Sequence, residues 1–91
     1  MNTHIHQRTA IRTALLLQLE AAAPIGLPLE TLRQGLRLAG FQLEESRVAK
    51  ELDYFLGKGW AEKSAALLNA GYFVFRLSAS GREALESEGL V

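Results

Sequence analysis

The sequence predicts an α+β domain of three helices, a two-stranded β-hairpin and a short C-terminal helix. Three observations predict it. Apolar residues recur at spacings of three and four up to Leu56, which is the helical period. After Gly59 the period shortens, and Tyr72 to Leu77 alternates, with Phe73, Phe75 and Leu77 on one face and Tyr72, Val74 and Arg76 on the other. Ser78-Ala79-Ser80-Gly81-Arg82-Glu83 then has the composition of a helix start. At 91 residues, 48% hydrophobic and 22% charged, the chain suits a single globular domain over 1–91.

Residues 4–22 read as the first helix. Ile11, Leu15, Leu19 and Ala22 form one apolar stripe, and Ala10, Ala14, Leu17 and Ala21 form a second beside it. Two stripes exceed what one small core requires, so a homodimer through this helix is expected. Pro24 stops the helix, and Ile25-Gly26-Leu27 is a brief extended connector. Pro28 suits a first helical position, where its missing N–H costs nothing. Leu29, Leu32, Leu36 and Ala39 give the second helix a single stripe, and Gly40 stops it. The third helix is expected from about Glu44 to Leu56. Its core sector holds Val48, Leu52, Phe55 and Leu56, and its polar face holds Ser46, Arg47, Lys50, Asp53 and Tyr54. Gly57-Lys58-Gly59 ends it. Trp60 to Leu68 reads as a strand and Asn69-Ala70-Gly71 as the hairpin turn. Ser80 with Glu83 has capping-box spacing, but Ser78 is an equal candidate for the cap.

Lys plus Arg and Asp plus Glu both total 10, so the formal net charge is zero. The totals therefore lack the signature of a strongly basic nucleic-acid binder. There is no cysteine, which excludes disulfide scaffolds, thiolate metal sites and cysteine nucleophiles. The apolar run Ala14 to Leu17 is followed by Gln18 and Glu20, far short of the ~20 residues of a membrane span. Met1-Asn2-Thr3-His4-Ile5-His6 lacks a basic region leading into a long apolar stretch. A cytoplasmic protein without membrane association is the expectation.

The order helix, helix-turn-helix, hairpin, helix resembles a winged helix-turn-helix domain. Val48 to Trp60 (VAKELDYFLGKGW) resembles the end of a winged-helix recognition helix, where a Lys-Gly pair precedes a large apolar residue opening the wing. Phe75 to Leu85 (FRLSASGREAL) resembles the second wing strand running into a last helix, with Ser78 where Thr is usual. A narrower likeness is to short ArsR-like winged-helix proteins of Mu-like prophages. It is carried by Gly40-Phe41-x-Leu43 followed by Val48-x-x-Glu51-Leu52-x-Tyr54. The metal-sensing cysteines of true ArsR sensors are absent, so that activity is not implied.

No residue pattern points to catalysis or a cofactor. His4 and His6 face different sides of a helix at a chain end, and no cysteine or third histidine completes a metal site. Glu44 and Glu45 suit the positive end of the third helix. Glu83, Glu86 and Glu88 decorate the last helix. The serines lack a base to activate them, and Gly57-Lys58-Gly59 is no phosphate loop, since it follows a helix. The chain is not expected to be an enzyme.

The basic residues carry the functional expectation, which is contact with double-stranded DNA by a small bacterial or phage-type transcriptional regulator. Ser46, Arg47, Lys50 and Tyr54 share the polar face of the third helix, the type of face that enters a major groove. Lys63 and Arg76 on the hairpin are candidates for flanking phosphates. The competing interpretation pairs Arg47 with Glu51 at i,i+4 on an ordinary solvated helix. Glu51 and Asp53 would then blunt Arg47 and Lys50, and the domain would be a protein–protein interaction module.

Overall fold

Ile11, Leu15, Leu16 and Leu19 are buried along one side of a long N-terminal helix, and the rest of the domain is built against them. The computed structural model describes residues 3–66 and 69–91, with side chains for 6–65 and 72–91. Its elements are α1 (Thr3–Ala21), α2 (Leu29–Leu38), α3 (Glu45–Lys58), β1 (Ala61–Ala66), β2 (Asn69–Leu77) and α4 (Ala79–Ser87). β1 and β2 form an antiparallel two-stranded sheet. This is a small α+β domain with a winged-helix layout, helices followed by a hairpin wing.

The core takes Leu32 and Leu36 from α2, Val48, Leu52 and Phe55 from α3, Ala61 and Phe75 from the hairpin, and Leu85 from α4. On α1 the apolar surface is used differently from the two-stripe expectation. Leu16, a member of neither stripe, is buried at 7% exposure. Ala14 and Leu17 pack against the core, whereas Ala10 and Ala21 are exposed. The second stripe therefore offers a partner chain little beyond two alanines.

Between α1 and α2 the chain turns through a cis Ala23–Pro24 peptide. Leu27 then joins the hairpin by a two-way bridge, donating to the Phe75 carbonyl at 2.9 Å and accepting from the Phe75 N–H at 2.8 Å. The connector thus pins α2 to the wing. Gly26 is required there: its φ is +91°, and a Cβ would come within 2.5 Å of the Phe75 carbonyl oxygen.

The turn between α2 and α3 is closed by the Phe41 N–H on the Leu36 carbonyl at 2.8 Å and by Arg33 Nε on the Leu43 carbonyl at 2.9 Å. Glu44 occupies the N-cap of α3, with Glu45 in its first turn, where the helix dipole favours anions. The helix runs past Leu56 through Gly57 and Lys58. It stops at Gly59, whose φ of 75° lets the Gly59 and Trp60 N–H groups close on the Leu56 and Phe55 carbonyls. Gly57 costs a helix only about 1 kcal/mol, so the positive-φ closure at Gly59 sets the end.

The hairpin differs from expectation at its tip. Asn69, Ala70 and Gly71 belong to β2, and β1 ends at Ala66. Positions 67 and 68, assigned to the first strand from sequence, lie outside the described residues. Ala65 pairs with Phe73 and Ala66 with Asn69, so residues 70–72 form a bulge on β2. Phe73 does not share the burial of Phe75. It is 42% exposed, as Tyr72 is at 44%, where the wing borders an open hollow with Leu29 of α2 and Glu45 of α3. At the base, Ser78 is the cap of α4: its Oγ accepts from the Gly81 N–H at 3.0 Å and donates to the Gly59 carbonyl.

Candidate functional site

The polar face of α3 contains a buried carboxylate. Glu51 is 4% exposed, contrary to an ordinary solvated helix, and both its oxygens are occupied. Arg12 Nε of α1 donates to Oε1 at 2.8 Å, and Arg47 Nη2 donates to Oε2 at 3.3 Å. The i,i+4 pair expected of Arg47 and Glu51 is thus present, with a second arginine that the sequence reading did not single out. At 100° per residue Glu51 lies only about 40° from Phe55, which was the available signal that it borders the core. A carboxylate so placed is costly unless paired, and two guanidiniums meet that demand.

Arg12 is held on a second side. Its guanidinium lies over the Tyr54 ring, 3.6 Å from the centroid, and Tyr54 meets Phe55 and Trp60 edge-on at 6.2 and 5.9 Å. This fixes both the plane and the direction of the arginine. With Nε committed to Glu51, its terminal nitrogens carry the remaining donors.

Arg8, Arg12, Arg47, Lys50, Glu51 and Tyr54 line an open groove of about 460 Å³ between α1 and α3. Four cationic side chains therefore surround one carboxylate. Arg8 and Lys50 are exposed and have no ion-pair partner among the described residues. In a chain of zero net charge this is a local concentration of positive charge, suited to an anion.

Of the residues expected to touch DNA, the structure gathers Arg47, Lys50 and Tyr54 in this groove. Ser46 is exposed on α3 but does not line it. Lys63 lies elsewhere, on the wing, with its ammonium 4.4 Å from the Phe73 ring centroid. There it borders a hollow with Pro28, Leu29, Glu45 and Tyr72. Arg76 is half-buried, and its Nε is enclosed without a hydrogen-bond partner among the described residues. The basic side chains that line the groove thus belong to α1 and α3, and neither Lys63 nor Arg76 is among them.

His6 is exposed, and the side chain of His4 lies outside the described residues. Among the described residues no three His, Asp or Glu side chains are grouped so as to hold a metal ion, and no helix is long and apolar enough to cross a membrane. No protein-family model matches this chain, and comparison with curated proteins finds no match.

Proposed function

We propose that this domain binds double-stranded DNA as a small transcriptional regulator, with α3 entering the major groove. The observation that carries this reading is the gathering of Arg8, Arg12, Arg47 and Lys50 beside the exposed face of α3. A major groove about 12 Å wide admits one α-helix. Ser46 and Lys50 are exposed there and reach base edges or phosphates, while Lys63 on the wing contributes to backbone contact. Arg76 contributes less, because part of its guanidinium is buried.

Fluorescence anisotropy with random-sequence duplex DNA across a salt series tests the reading. Binding that weakens linearly in log salt is expected, with about −0.9 in slope for each phosphate neutralised. No retained duplex at low salt overturns it. One observation favours a protein-interaction module instead: Tyr72 and Phe73 are exposed on the wing beside Pro28 and Leu29. If that surface is the functional one, Phe73→Ser removes partner binding and Lys50→Ala does not.

A further inference from the structure

We infer that the groove between α1 and α3 is a phosphate-binding site, in which Arg8 and Arg12 hold a phosphate group and Glu51 is the positioning residue. The inference rests on the DNA reading for its natural ligand, a backbone phosphodiester, and adds α1 to the contact surface.

Three features of the groove carry it. The first is charge. Glu51 is shared between Arg12 and Arg47, which leaves the groove strongly positive with Arg8 and Lys50 unpaired among the described residues. A monoanionic phosphodiester reduces that excess, and planar guanidinium forks match phosphate oxygens. The second is preorganisation. Arg12 is gripped by Glu51 through Nε and by Tyr54 through its face. The ordering of a long side chain is therefore met on folding and not on binding.

The third is the diversion of Arg47. A bidentate contact to guanine needs a free guanidinium fork, but Arg47 Nη2 is engaged by Glu51. Arg47 is thereby turned toward the groove and away from base reading, which falls to Ser46 and Lys50. The α1 contribution is consequently indifferent to sequence: loss of Arg8 weakens all duplexes alike.

The test uses the full chain in two arms. In the first, the ¹⁵N-labelled parent and Arg8→Gln proteins are titrated with inorganic phosphate against chloride of equal ionic strength, and backbone amide shifts are followed. In the second, duplex binding is measured over a salt series for the parent, Arg8→Gln and the paired variant Arg12→Gln/Glu51→Gln. The pair exchanges two charges for two amides that can hydrogen-bond to each other, so the fold is retained, as circular dichroism will verify. Phosphate is expected to shift residues 8, 12, 47, 50 and 54. Arg8→Gln is expected to make the log–log salt slope shallower by about 0.9, equally on unrelated duplexes.

The inference is overturned if both variants keep the parent's affinity and slope, or if phosphate leaves the groove unmoved while duplex binds. If phosphate shifts the groove, Arg8→Gln abolishes those shifts and no duplex is retained, the phosphate site stands and the DNA reading fails. If neither ligand binds, both fail.

Discussion

Arg12 Nε and Glu51 Oε1 lie 2.8 Å apart across the junction of the first and third helices, one side chain 26% exposed and the other 5%. This contact ties α1 to α3 by charge at a place where the apolar core has given way to the surface. Removing one partner of a buried pair leaves the other uncompensated, typically at a cost of about 3–5 kcal/mol. Arg47 still reaches the second oxygen, and Arg12 is partly solvated. Arg12→Ala is therefore expected to cost about 2–3 kcal/mol, below the fully buried case. Urea denaturation measures it, and a loss under about 0.5 kcal/mol, the range of ordinary surface changes, would show that the pair contributes nothing.

Lys50 and Leu52 are two residues apart on α3 and should respond oppositely. Leu52 is fully buried, so Leu52→Ala is expected to lower folding stability by about 2–5 kcal/mol. Lys50 is exposed, and Lys50→Ala should change stability by no more than about 0.5 kcal/mol while weakening duplex binding. Thermal melts paired with anisotropy separate the two effects.

Arg47→Ala and Lys50→Ala should also differ in specificity. Arg47 is held by Glu51, so its loss should lower affinity on every sequence by a similar factor. Lys50 is the freer side chain, and its loss should alter the ranking of duplexes if it touches a base edge, by about 1–3 kcal/mol at the base concerned. Binding to a randomised duplex pool, sequenced before and after selection, reads this directly. A changed base preference in Arg47→Ala alone would reverse the assignment.

Ser78 caps α4 and ties it to the end of α3 through the Gly59 carbonyl. Ser78→Ala is expected to cost about 1 kcal/mol, the usual value of an N-cap. The loss should appear as faster amide hydrogen exchange in residues 79–87. Ser80→Ala, outside the cap, should leave exchange there unchanged.

Gly26→Ala tests the bridge between the connector and the wing. The substitution meets both a positive φ and the Phe75 carbonyl oxygen, so a loss of about 1–3 kcal/mol is expected. Protection of the Leu27 and Phe75 amides should fall with it. Equal stability of Gly26→Ala and the parent would show that the bridge is dispensable.

Hydrophobic period and backbone punctuation are local, so the order and type of the elements were legible along the chain. The sector of Val48, Leu52 and Phe55 was legible from 100° spacing, and those three side chains are buried. Gly40 and Gly59 marked helix ends through their positive φ, whereas Pro28, expected at the first helical position, is the extended N-cap of α2. Even the Arg47–Glu51 pair was readable, since its partners are one helical turn apart. Other features depend on residues distant in the chain. Arg12 and Glu51 are separated by 39 positions, and no helical spacing relates them; packing α1 on α3 does. Tertiary packing also buried Leu16 and left Phe73 exposed, because burial depends on which element lies opposite and not on the apolar pattern of a single segment. The choice of Ser78 over Ser80 as the α4 cap likewise followed from the wing's exit, where Ser78 meets the Gly59 carbonyl and the Gly81 N–H together. The basic groove belongs to this second class, since a chain of zero net charge acquires a positive surface only when folding brings distant arginines to one face.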